Sequence, residues 1–233
     1  IILIALAMAV SATATANSRD QAQRIHKRLA GVPADAATLT EMAQLIDNNQ
    51  VAEAAELAMD NPAFYNVTIK QFATPWTNEA QDVFAPLNDY TATIIGVVRD
   101  DVDFRRILYS DLLYVGNASP AASPSSNAHY QALEDQHADL STVLTESSQA
   151  SQYGTPAEAV AGVLTTRAAA NAFFYAGTNR AMLRFTMMNH MCRDLEQVKD
   201  TTRPSDRIRQ DVSRSPGGDS RIFRNSCIGC HSG

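Results

Sequence analysis

The chain lacks the signatures that would announce most enzyme classes. It has no G-x-x-x-x-G-K-[ST] phosphate loop, no G-x-G-x-x-G fingerprint, no H-E-x-x-H zinc helix and no G-x-S-x-G nucleophile elbow. Asp100-Asp101-Val102-Asp103 is acidic but lacks the glycine and terminal glutamate of a calcium loop. No repeat of fixed period is visible. Positive charge is in deficit, with 19 Lys/Arg against 25 Asp/Glu and a net charge of −6. Without a basic surplus or basic residues interleaved with aromatics, nucleic-acid binding is a poor fit. Cysteine is scarce: there are three in 233 residues.

The most apolar run, Ile1 to Val10, is ten residues long, whereas a bilayer span takes roughly 20. Small residues follow it, and Ala14-Thr15-Ala16 fits the A-x-A cleavage rule. Residues 1–16 are therefore read as a secretory signal peptide cut before Asn17, in preference to an apolar first helix of the mature fold. The positive n-region and initiator Met are missing, so the N-terminus reads as clipped. No cysteine sits at the cleavage point to take a lipid anchor. The expected destination is periplasmic or secreted, with no membrane association once the signal is removed. About 217 mature residues suffice for one large domain or two small ones.

Most of the mature chain reads as helix. Ser18 is set to cap a helix carrying Ala22, Ile25 and Leu29 at helical spacing, ended by Gly31 and Pro33. Thr38-Leu-Thr-Glu41 is a capping-box pattern leading into Met42, Leu45 and Ile46. Val51 to Met59 and Phe64 to Phe72 follow as helices. Leu87 to Val98 is apolar enough to be buried, and its β-branched residues leave helix and strand both open. Phe104 to Leu113 reads as a short amphipathic helix, and Thr155-Pro156 as a strong helix start. Thr178 to Leu195 has the clearest helical pattern, with Met182, Phe185, Met188 or Asn189, and Cys192 on one face. Two more helices are expected, over Ser205 to Val212 and at the cysteine-bearing end. Between residues 17–115 and 129–233 lies GNASPAASPSSNA, residues 116–128, a linker or a long surface loop.

The chemistry concentrates at the end. Cys227-Ile228-Gly229-Cys230-His231 is the C-x-x-C-H of c-type haem attachment. On a helical turn Cys227 and Cys230 share a face, so each reaches a vinyl group at one haem edge, and His231 ligates the iron as proximal ligand. Export adds weight, because an oxidising space is where such haems are attached in bacteria. A local disulfide is the main rival; no βαβ pattern of the thioredoxin type surrounds the pair. Zinc is disfavoured, since the next cysteine is Cys192. A distal iron ligand must come from upstream or from sequence not included, and Met187, Met188, His190 and Met191 are the clustered candidates, with core packing the rival role for the methionines. His26, on a basic solvated face, and His129 and His137, beside the linker, are weaker. Trp76 and Phe173-Phe174 read as core. Charge divides along the chain: residues 17–177 hold nine Lys/Arg against 19 Asp/Glu, and residues 178–233 hold ten against six. A basic surround of the motif suits haem propionates or an acidic redox partner protein.

One ordered series of short segments carries a likeness. Gly162-Val163-Leu164-Thr165-Thr166, then Gly-Thr-Asn-Arg at 177–180, Met191-Cys192-Arg193-Asp194 and the C-x-x-C-H at 227–231 resemble a group of large secreted cytochrome-like proteins of bacteria, mostly of unassigned function. Arg28-Leu29-Ala-Gly31-Val32-Pro33 looks like that group's opening, and Val98 to Leu108 with Tyr109 to Tyr114 look like its segments before the linker. The group's pattern continues past C-x-x-C-H into an Asp-Pro and an aromatic segment, which implies that this chain is cut short. The resemblance carries over only Cys227, Cys230 and His231 as functional residues.

The resulting expectation is a mainly α protein: a helical bundle-like region followed by a truncated C-terminal c-type haem-attachment segment. It is an exported cytochrome with one haem c, an electron carrier rather than a catalyst, with no small-molecule substrate evident. A haem-dependent peroxidase or dehydrogenase subunit, and a haem-free secreted binding module with a Cys227–Cys230 disulfide, are the alternatives.

Overall fold

The structure, a computed structural model, describes residues 17–175, 181–194 and 197. The predicted leader, the two last predicted helices and Cys227, Cys230 and His231 lie outside the described residues. Those described are mainly helical, as the sequence predicts. They fall into two compact units that divide after Ile69, not at the 116–128 stretch.

The first unit is three helices packed on one another: α1 (Ser18–Leu29), α2 (Ala36–Asp47) and α3 (Val51–Met59). Ala22, Leu39, Met42, Ala54 and Ala58 form its core, with Ile25, Leu29, Leu45 and Ile46 packed against it. The small residues on α1 and α3 let these short helices approach closely. The caps sit earlier than predicted. Asn17, not Ser18, accepts from the backbone N–H of Arg19, and Asp35, not Thr38, caps α2 by accepting from the N–H groups of Ala37 and Thr38. An ionised carboxylate at a helix N-terminus serves two orphan donors at once, which a capping threonine cannot match. His26 is buried rather than solvated, its Nδ1 2.8 Å from the Val32 carbonyl oxygen. That contact closes the turn after α1 at Gly31. The predicted Phe64–Phe72 helix begins as a wide π-turn, Phe64–Ile69.

The second unit is built around α5 (Asp89–Arg99), which follows the one-turn α4 (Lys70–Ala73). Nine of its eleven residues are buried, so it is covered on every side rather than along one stripe. This settles the helix-or-strand ambiguity of the β-branched run. Asn88 caps it by accepting from the Thr91 N–H, and that cap starts a helix where propensity alone is neutral. Beyond α5 the predicted helix over Phe104–Leu113 is instead a 3₁₀ turn, Phe104–Leu108, and then strand β1 (Leu113–Val115). After α6 (Ala128–Asp135) and α7 (Leu140–Val143), strand β2 (Thr145–Ser147) pairs antiparallel with β1, Tyr114 opposite Glu146. The 116–128 stretch is a loop inside this unit, tied down where His129 Nδ1 meets the Pro120 carbonyl at 2.8 Å. The helix predicted from Thr155-Pro156 reduces to two 3₁₀ turns, Ala157–Ala159 and Gly162–Thr165, set between α8 (Gln149–Tyr153) and α9 (Arg167–Ala169). Buried Gln149 holds this segment: its Nε2 donates to Leu112 and Gly162 carbonyls, and its Oε1 accepts from Thr165. The last described helix is α10 (Ala181–Met191).

Gly96, in the middle of α5, is there for space. An added Cβ would overlap the Tyr114 ring, 2.1 Å from its Cδ1 atom. The Tyr114 hydroxyl donates to Asp100, and the Arg99 guanidinium holds the same carboxyl below its ordinary range. We expect Gly96→Ala to lower stability by about 3 kcal/mol in urea unfolding, with Tyr114→Leu in the same chain returning part of the loss. The Asp100 contribution is complete above its unfolded value of 3.8 and fades as the pH falls through the lower folded value. The urea midpoint should therefore drop less between about pH 5 and 3 in Asp100→Asn than in the parent.

Candidate functional site

Of the sequence-predicted site residues, Met187, Met188, His190 and Met191 are described, all on α10. The helix docks through Ala181 and Phe185, and the Phe185 ring stacks on Phe173 with centroids 4.7 Å apart. Phe173 is thus core, as expected, while its neighbour Phe174 is exposed. Met187 and Met188 are half-buried, and Met191 is 62% exposed at the helix end. Cys192 lies beyond that end in a left-handed conformation, exposed, and not on the helix face predicted for it.

His190 is held by an aromatic cluster. Its Nε2 lies 2.8 Å from the Tyr90 hydroxyl, its ring is parallel to that of Tyr90, and Trp76 meets it edge-on at 5.4 Å. The neighbouring Asn189 donates to the Trp76 carbonyl, which fixes the last turn of α10 on this cluster. Burial holds the imidazole below its ordinary pKa, and pushes the Tyr90 hydroxyl up. Nε2 and the Tyr90 hydroxyl thus occupy each other's hydrogen-bonding position. An iron at that nitrogen would displace the Tyr90 bond, whereas the Met191 thioether is already at the surface. His129 is buried, and both of its ring nitrogens are used, Nδ1 by Pro120 and Nε2 as acceptor from the Gly116 N–H. His137 is exposed. Among the described residues no group of three or more His, Cys, Asp or Glu is placed to hold a metal ion. Nor, among them, is any helix long and apolar enough to cross a membrane.

The sequence reading missed the most polar part of the second unit's interior. Asp89, at the first turn of α5, is fully buried. Its Oδ1 accepts from the N–H groups of Tyr90 and Ala168, each at 3.0 Å. Its Oδ2 accepts from the Arg167 N–H at 2.6 Å and the Tyr153 hydroxyl at 3.0 Å. Burial pushes the carboxyl up, opposed by the charge of Arg167 and by these donors. The signal was present in the sequence: a lone acid opening an otherwise uncharged run is rarely buried unless other elements supply its partners. Four satisfied acceptor positions make Asp89 a structural anchor rather than a general base.

Compared with known proteins, the chain matches no family model, no curated protein and no solved structure.

Asp89→Asn keeps the shape but turns one acceptor into a donor facing donors. It should destabilise the protein by about 3 kcal/mol in thermal or urea unfolding, whereas substitution of the exposed Glu79 should leave stability unchanged.

Proposed function

We propose that the protein is an exported c-type cytochrome that carries single electrons, with haem c held by the thiols of Cys227 and Cys230 and by His231 as proximal ligand. The observation that carries this reading is the C-x-x-C-H sequence, and the apolar run Ile1 to Val10 followed by Ala14-Thr15-Ala16, which we read as a secretion-type leader, supports it. When bound, the haem supplies a one-electron couple whose potential its axial ligands and surroundings set. The chain's own part is to anchor, orient and shield. Two thioether bonds hold the group without a deep pocket, and His231 follows the second cysteine directly. Of the distal candidates, Met191 is the most exposed and His190 is engaged with Tyr90, which favours a thioether over an imidazole. The ten basic residues of 178–233 suit an acidic redox partner, and the destination is periplasmic or secreted.

The test is co-expression with a cytochrome c maturation system, followed by a denaturing gel stained for haem and a reduced pyridine spectrum. A stained band and c-type spectrum are expected, both lost in Cys227→Ala/Cys230→Ala. A sharp low-spin pair of bands fits a carrier, and a high-spin band points instead to a haem enzyme. A colourless protein of the right mass sinks the cytochrome reading and leaves a secreted module with a Cys227–Cys230 disulfide.

A further inference from the structure

The second unit carries a cleft of about 450 Å³ whose wall includes the Arg167 side chain. Arg167 enters from the start of α9, where its backbone N–H is fixed on Asp89. Its guanidinium donates from Nη2 to Asn127 Oδ1 at 2.8 Å. Asn127 is itself held, because its Nδ2 donates to the Leu87 carbonyl at 2.8 Å, so its oxygen is the atom turned to the guanidinium. No described carboxylate forms an ion pair with Arg167. Arg167 Nε is buried with no hydrogen-bond partner. Asp89, which feels the Arg167 charge, already has four donors on its two oxygens. A half-buried cation is thus oriented by one carboxamide and left without a direct counter-ion. Leaving such a charge incompletely partnered is costly, so an anionic ligand that completes the set is stabilised there.

The rest of the wall indicates what kind of ligand. Gln131 and Asn171 line the cleft with exposed carboxamides whose side chains make no hydrogen bond to any described residue. Pro86, Ala168 and Ala172 supply apolar surface between them. Glu79 also lines the cleft and is exposed, so the charge available to an anion is a single guanidinium offset by one acid. With Glu79 turned to solvent the one guanidinium matches at most one negative charge, and the acid beside it disfavours a phosphate dianion.

We infer that this cleft binds a small hydroxylated monocarboxylate, with Arg167 as its counter-ion and Gln131 and Asn171 meeting its hydroxyl groups. The site uses residues 77–172 alone, and it stands or falls independently of haem attachment.

Isothermal titration calorimetry on the full chain tests it, with gluconate as the probe, sorbitol as its uncharged counterpart and inorganic phosphate as the multiply charged anion, all at fixed ionic strength. Gluconate should bind and the other two should not. Arg167→Met should weaken gluconate by at least about tenfold, as expected for loss of a charge-assisted contact, and Arg167→Lys should restore part of it. Should Arg167→Met fail to fold, Gln131→Ala/Asn171→Ala on the exposed wall leaves the Asp89 anchor intact and should weaken gluconate several-fold. The proposal is overturned by equal binding of gluconate and sorbitol, by phosphate binding more tightly, by gluconate binding that none of these variants alters, or by no gluconate heat at all.

Discussion

The second unit depends on one buried carboxylate. Asp89 gathers the first turn of α5, the end of α8 and the start of α9 around two oxygen atoms, with donors 64, 78 and 79 residues away in the chain. An uncompensated charge in such a place would cost several kcal/mol, so the three segments must arrive together for any of them to be stable there. Tyr153 and Tyr130 line the same interior, and the Tyr130 hydroxyl donates to the Tyr114 carbonyl, which extends the polar framework to strand β1. Arg167 reaches the cleft because its backbone is held by the same carboxylate.

Around that anchor, packing follows from a few residues chosen for size. Gly96 lets the Tyr114 ring lie on the backbone of α5, and Gly162, with φ of 53°, brings its backbone against the Ile107 carbonyl where a side chain would collide. The Gly162–Thr166 stretch therefore has a structural occupation. It is threaded between Gln149 and the Phe104–Leu108 turn, and Thr166 caps the helix that presents Arg167.

The first unit was legible because its helices are amphipathic, Ala-rich and closed by Gly31, Pro33 and Asn61-Pro62, all local signals. The three helices stand where predicted, with the caps moved to Asn17, one residue upstream, and to Asp35, three residues upstream. The second unit was less legible because its elements answer to distant partners. Thr155-Pro156-Ala157-Glu158 has every local mark of a helix start, yet the chain there is drawn into 3₁₀ turns by Gln149 and Gly162. Phe104–Leu113 has helical spacing, yet its end pairs with β2. The distal-ligand candidates were placed on a helix by their spacing, and a helix is what carries them. That His190 is bonded to Tyr90, a hundred residues away in sequence, no local pattern could say. Asp89 carried a local signal, as the lone acid opening an uncharged run, but its partners at Tyr153, Arg167 and Ala168 did not, and Arg167 is unremarkable until Asp89 and Asn127 are beside it.

The composition of α5 also bears on how the protein folds. Thr91, Thr93, Ile94, Ile95, Val97 and Val98 lose side-chain freedom in a helix, and Gly96 loses still more backbone freedom. This helix is consequently a product of collapse, not a seed for it. The first unit is joined by contacts between neighbouring helices, whereas the centre of the second awaits contacts of high sequence separation, whose loop-closure entropy must be met before they stabilise anything. The slow step of folding is thereby assigned to the second unit, which also carries the candidate distal ligands and the cleft.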